Sequence, residues 1–352
     1  MLRRRRIFVA TCIAIIAILA GYIYRTRTRI ADNSAEALKS GAPLGDAAAY
    51  ATADQNGKSK RIFFRHNSVD KNYGRLAFVK YEHPDQPEFV GALSCEVAHV
   101  AGGRGICLAA NRGVFTTYVA KLFDAKTFQI LAEIPLKGAP IRCRMSSDGK
   151  LAALTVFINR HANESLNSST QTLLINVDNG RVVANLEEFK VTRDGLSFSN
   201  KDFSLRGVTF TPDARNFYAT LSTNQRHFLV KGDIANRSAV VIHDNVECPS
   251  LSPDASRIAY KKRFVADGRV FWQLSVLDLK TDRETPLGEK RSVDDQLEWL
   301  DNDHVLYSLP ETDNGPGAGT NVWLATVDGA SASSPRLFLR KAYSPSVSPL
   351  PQ

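Results

Sequence analysis

One short phrase recurs along this 352-residue chain: a β-prone apolar residue, a tight polar turn, then a second β-prone run. The clearest copies are FTPDARNFY, starting at Phe210, and LSPDASRIAY, starting at Leu251. MSSDGKLAAL from Met145 and WLDNDHVLY from Trp299 are variants, and looser copies begin at Val100 and Val347. The intervals between these apolar anchors are 45, 65, 41, 48 and 48 residues. Four-stranded propeller blades need about 40–50 residues each, so the period indicates a ring of modular sheets and not a sandwich, which requires no fixed repeat. The one long interval contains VTRDGLSFSNKDF (191–203), read as an inserted polar loop.

Each interval holds the parts of a four-stranded meander. Second strands such as LAALTVF and RIAYKK follow the first turn. Third strands such as TLLINV and LSVLDL come next, then a second polar turn, then fourth strands such as RVVANL and RLFLR. Val, Ile, Phe and Tyr dominate because their side chains fit a pleated, half-buried surface. In the Ser/Thr-Pro-Asp turn, proline presets φ and removes a donor where the ladder stops. Asp148, Asp213 and Asp254 are therefore expected to hold turn backbone and not to do acid–base work.

The two ends of the repeat region complete each other. The sixth copy stops after Val347-Ser-Pro349, whereas RIFFRH (61–66), RLAFVKY (75–81) and EFVGAL (88–93) precede the first full blade as orphan strands. Placing the last strand beside the first three closes the ring and leaves no open sheet edge. The expected fold is an all-β, six-bladed propeller over 58–352 in which the C-terminal strand closes the N-terminal blade.

The repeat resembles that of the TolB-like β-propeller family, which carries a Ser-Pro-Asp-Gly-like turn followed by an Ile-Ala-Phe/Tyr-like strand. LSPDASRIAY is the best match, FTPDARNFY the next, and the resemblance covers roughly 60–350. It implies blade architecture and leaves function open, because the same repeat occurs in enzymes, envelope proteins and secreted binding modules. TolB itself has an α/β domain ahead of the propeller, where this chain has different segments.

Those segments explain the charge. The net +9 resides in the first thirty residues, where seven Arg and no acid leave 38 basic against 36 acidic residues elsewhere. A nearly neutral propeller is not a nucleic-acid binder on charge grounds. Residues 7–24 (IFVATCIAIIAILAGYIY) are uncharged and match the roughly 17–25 residues of a bilayer-spanning helix. They read as an uncleaved signal anchor within 1–30, with the N-terminus cytoplasmic and the propeller extracytoplasmic. Residues 31–57, rich in Ala, Gly, Ser and Asp, lack the apolar surface to fold and read as a disordered stalk.

No reactive motif emerges. The nearest approach to a nucleophile elbow, Gly195-Leu-Ser-Phe-Ser199, has the wrong spacing. The seven His are dispersed, and Asp301-Asn-Asp-His304 reads as a hairpin turn. No catalytic residue, metal ligand or cofactor site is assigned. Cys95 and Cys107 flank one hairpin, where an extracytoplasmic setting permits a disulfide, although matching the turn to other blades puts Cys107 opposite His99. Cys143 and Cys248 are expected free and buried. The function expected is non-catalytic binding of a cell-envelope protein or cell-wall component through the loop faces, with Arg193, Asp194, Phe198 and Phe203 of the insert as candidate contacts. The rival reading is a propeller enzyme or small-molecule sensor with a channel site, to which Arg142, Arg206 and Gln296 are the residues able to contribute.

Overall fold

A computed structural model describes residues 60–158, 169–311, 319–327 and 334–348. The segments assigned to the anchor (7–24) and stalk (31–57) lie outside the described residues. The described chain forms six sheets in a ring, antiparallel but for one parallel pair in blade IV. Blade I orders its strands Ala342–Ser348, Arg61–His66, Arg75–Lys80 and His83–Ser94 from the axis outward. Blade II runs Val97–Ala101, Arg104–Arg112, Thr116–Asp124 and Ile130–Leu136; blade III runs Ala139–Met145, Leu151–Ile158, Ser169–Asn176 and Val182–Asn185. Blade IV is built on Ser204–Phe210, Asn216–Thr223, Arg226–Asp233 and Ser238–Asp244. Blade V comprises Glu247–Leu251, Arg257–Ala266, Arg269–Asp278 and Glu284–Pro286, and blade VI Glu298–Trp299, His304–Pro310, Thr320–Thr326 and Arg336–Leu339.

The ends do zip together. The C-terminal strand pairs antiparallel with the first, from Arg61 opposite Ser348 to His66 opposite Ala342. The apolar faces of neighbouring sheets pack between blades: Ile106, Leu108 and Leu122 of blade II meet Leu154, Val156 and Ile175 of blade III. Each such side chain stabilises the ring by about 1.5–3 kcal/mol. Tyr260 and Tyr307, at equivalent places in blades V and VI, are completely buried, and their hydroxyls donate to Glu284 and Glu289 respectively. A buried phenol needs such an acceptor.

The insert is not a loop. Lys190–Arg193 adds to blade IV as a fifth strand, parallel to Ser238–Asp244, and Leu196–Ser197 folds back as a sixth. Its register places Val191 beside Ala239, and Phe198 stacks edge-on against Phe228 and Phe203.

The inner strands have a neighbour on one side only, so their axis-facing N–H groups need other acceptors. At four of the six positions the residue just before an anchor supplies one. Ser346 accepts from the N–H of Val100, His99 Nδ1 from Met145, Thr209 from Leu251, and Glu298 from Val347. Each bond joins one blade to the anchor of the next. Arg144 holds the same position in blade III but carries only donors, so it turns elsewhere, as described below.

Candidate functional site

Strand direction divides the ring into two faces. On one, the turn face, the first and second strands of each blade are joined by the repeated turn. In Ser252–Arg257 the Ser252 hydroxyl accepts from the Arg257 N–H at 3.0 Å and donates to Asp254 at 2.5 Å, while Asp254 accepts from the Ser256 N–H at 3.1 Å. Ser146 with Asp148, and Thr211 with Asp213, repeat the pattern. These hydrogen bonds hold the Asp213 carboxyl below its ordinary range, and they hold the Asp254 carboxyl down against the opposing cost of burial. Asp301 likewise accepts from the Asp303 N–H and pairs with His304, and no metal-binding cluster occurs among the described residues.

The opposite face is where the inner strands begin. It is an entry to the central channel and is rimmed by the connections between second and third strands. Val69 and Tyr73 of blade I, Val114 and Phe115 of blade II, and Val265 of blade V stand exposed there. The insert hairpin ends on this rim, since Arg193 pairs with Asp244 at the end of blade IV's fourth strand. Arg193 also covers the Phe228 ring at 4.9 Å, and Phe198 and Phe203 turn inward against the blade core. Asp194, in the left-handed region at φ 52°, and Leu196, 73% exposed, are what the insert presents to solvent.

Within the channel the inner strands bulge. Gly207, Cys248 and Ser344, each three residues before its anchor, have φ of 63°, 50° and 53°. Register breaks at these points, and at Ile141 in blade III, re-aim the flanking side chains. Three charged groups result. Deepest, Arg144 pairs with Glu298 at 2.9 Å and donates to the Leu297 carbonyl, with His99 3.7 Å from Glu298 on the other side. Burial would raise the Glu298 carboxyl, but Arg144 and His99 hold it below its usual range. Burial also keeps the His99 imidazole below its ordinary value, despite Glu298.

Nearer the entry, Glu247 collects Arg206 at 3.3 Å, His227 at 3.4 Å and the Trp272 indole N–H at 3.0 Å, while Lys261 pairs with Asp294. The third group surrounds Arg142, whose Nη1 donates to the Ile141 carbonyl and reaches the Tyr343 hydroxyl at 3.4 Å. Burial pushes the Asp295 carboxyl above its usual range, with Arg142 opposing, and Asp295 accepts from the Ser308 N–H. Arg142, Tyr343, Arg65, Asn67, Tyr73, Glu96 and Phe157 line an open cleft of about 400 Å³, and Gln296 joins Arg142 at a small enclosed cavity beneath.

The ring, its self-closure and the Tyr-bearing second strands after Ser/Thr-Pro-Asp turns decide the architecture. The fold is that of a TolB-like propeller. TolB from Acinetobacter baumannii aligns with TM-score 0.58 and 16% identity over 87% of this chain and 72% of that one. A propeller chain of a nidogen/laminin complex aligns with TM-score 0.53 and 9% identity over 82% and 98%. A periplasmic gluconolactonase from Pseudomonas aeruginosa is more distant, at TM-score 0.46 and 11% identity over 84% and 100%, and carries no argument. No protein-family model matches the sequence, and no curated protein matches it.

Of the residues singled out in the sequence, Arg142, Arg206 and Gln296 do converge on the channel. Arg193, Asp194, Phe198 and Phe203 fall on one rim, two of them turned inward. Cys95 and Cys107 are bonded, with Cα atoms 5.3 Å apart, and Cys143 and Cys248 are free and buried. Cys107 faces Ala98, not His99. The blade II turn is the reason: Gly102 and Gly103, at φ 56° and 73°, close a two-residue hairpin, tighter than the Ser-Pro-Asp turn used for the matching. What sequence reasoning missed is the polar residue before every anchor: His99, Arg144, Thr209, Ser250, Glu298 and Ser346, all buried. A buried polar position at the repeat period was the available signal.

Proposed function

We propose that this TolB-like propeller is a non-catalytic, membrane-anchored, extracytoplasmic module that binds a cell-envelope protein through the entry face. The observation that carries the reading is the asymmetry of exposed apolar side chains. Val114 and Phe115 are 80% and 84% exposed at the tip of blade II, with Val69, Tyr73, Val265 and Leu196 on the same face. Large solvated apolar side chains grouped on one face are a mark of an interaction surface. Residues 7–24 would tether the domain and 31–57 would space it from the bilayer, consistent with the near-neutral charge of the propeller. The candidate contacts of the insert then sit at the rim of this surface, with Asp194 as the accessible member and Arg193 holding the hairpin in place. The similarity to TolB and to a nidogen/laminin complex fits a binding role without naming a partner.

The test is site-specific photocrosslinking of the full chain in cells. A probe replacing Phe115 or Val114 traps one discrete neighbour, a probe at Asp194 traps it more weakly, and a probe at Lys280 on the turn face traps none. Equal capture from Lys280 and Phe115 would discard the entry face as the binding surface.

A further inference from the structure

Among the described residues, the cations gathered in the channel have a carboxylate partner, with one exception. Arg144 has Glu298, Arg206 has Glu247, and Lys261 has Asp294. Among the described residues, no carboxylate lies within 4 Å of the Arg142 guanidinium. Its Nε is buried without a hydrogen-bond partner. Its remaining partners are the Ile141 carbonyl at 3.2 Å, the Tyr343 hydroxyl at 3.4 Å and the Cys248 side chain, none of them a carboxylate. Asp295, the acid closest in electrostatic effect, is engaged with the Ser308 N–H and is itself disfavoured as a carboxylate by burial. A partly buried guanidinium at an open cleft, with no carboxylate in contact, favours an anion that completes it.

We propose that Arg142 anchors a site for a carboxylate monoanion in the cleft at the channel entry. The planar fork of Arg142 suits two carboxylate oxygens, and the Tyr343 hydroxyl stands beside it as a further donor. Arg65 adds a second guanidinium to the wall, already paired: its Nη2 lies 3.8 Å from Glu96, its Nε donates to the Cys95 carbonyl, its Nη1 to Asn67, and it sits 4.6 Å from the Tyr73 ring centre. The rest of the wall is Val97, Pro140, Ile141, Phe157 and Tyr73, which accept an apolar body. About 400 Å³ is ample for a single aromatic amino-acid residue. Glu96 at the wall disfavours a dianion such as phosphate. The carboxylate belongs to either a free organic acid or a polypeptide C-terminus. The inference is independent of the protein partner proposed above, since the crosslinking reads loop tips and the binding site reads Arg142.

Calorimetric titration of the full-length protein in detergent tests it, with N-acetylphenylalanine, the tripeptide Ala-Ala-Phe and the primary amide of each as probes. Both acids bind saturably, both amides bind at least about tenfold more weakly, and inorganic phosphate binds more weakly than either acid. Arg142→Gln weakens acid binding by about tenfold or more, and Tyr343→Phe by about threefold. A tripeptide bound tighter than the single residue assigns the site to a polypeptide end; the reverse assigns it to a free acid. Without ligand, Arg142→Gln melts no lower than the wild type, because the cation it removes had no carboxylate in contact. If that variant fails to fold, Arg142→Lys keeps the charge but not the fork, and is expected to lose acid binding while folding normally. Equal affinity for acids and amides, no saturable binding up to about 10 mM, or wild-type acid affinity in both Arg142 variants would overturn the proposal.

Discussion

The two faces of the ring use similar residues to opposite ends. On the turn face, Asp148, Asp213 and Asp254 each accept from a serine or threonine hydroxyl and from a backbone N–H two residues on. Their lone pairs are committed to closing hairpins, so an acid-rich surface carries no chemistry. At the entry face the charged side chains come from inner strands instead of turns. Bulges at Gly207, Cys248 and Ser344 aim them into the channel, and there they meet each other or, for Arg142, no carboxylate among the described residues. Composition alone cannot tell the two kinds of aspartate apart; the length of the connection can. A turn of five or six residues consumes its polar groups, whereas a bulged strand exports them.

The sharpest test of that contrast lies along one strand. Arg142 and Arg144 are two residues apart in blade III, one unpaired and one paired with Glu298. Glu298→Ala leaves Arg144 buried without a counterion and removes the acceptor of the Val347 N–H. A loss of about 3–5 kcal/mol is expected in urea unfolding. A loss below about 1 kcal/mol would mean that the deep triad is ornamental to stability and that the paired and unpaired arginines do not differ.

Next in size is a pH effect confined to the channel. Burial lowers the proton affinity of both His99 and His227 in the folded state. The unfolded chain then binds more protons than the folded one below an unfolded histidine pKa of about 6.5. Stability is therefore full above that value and drains as pH falls through it, by up to about 1.4 kcal/mol per pH unit for each histidine. Carboxylates held low on the turn face release their contribution only at more acidic pH, so the interval between pH 7.5 and 5.5 isolates the channel. Urea midpoints should fall across that interval in the wild type and fall less in His99→Gln. A flat wild-type profile would refute neutral burial of these imidazoles.

Legibility follows the same division. Blade number, ring closure and the turn aspartates were readable because each depends on residues close together in the chain or on a fixed period. The fifth strand of blade IV was not, because Lys190-Val-Thr-Arg is polar and pairs in parallel with a strand roughly fifty residues later. Nothing local marks such an addition; only the exposed flank of Ser238–Asp244 creates the demand for it. The channel was half legible. Arg142, Arg206 and Gln296 stood out as polar residues near anchors, yet their partners Glu247, Tyr343 and Asp295 come from other blades. The anchor-minus-one position shows what a repeat can reveal: six buried polar residues in phase, four of them accepting the next anchor's N–H.

The smallest effect separates the faces most cleanly, because it pits a small structural residue against a large functional one. Asp254→Ala removes acceptors for the buried Ser252 hydroxyl and for the exposed Ser256 hydroxyl and N–H. Water replaces part of what is lost, so a destabilisation of about 1 kcal/mol is expected, with no change in partner capture. Phe115→Ser takes away a ring that is 84% exposed and touches little of the fold. Stability should move by less than about 0.5 kcal/mol, while crosslinking from the neighbouring Val114 position collapses. The comparison fails if the ranking inverts. A Phe115 variant that unfolds readily would mean that the tip is packed against something of structural consequence, and a turn variant that loses the partner would place recognition on the face whose polar groups are already engaged.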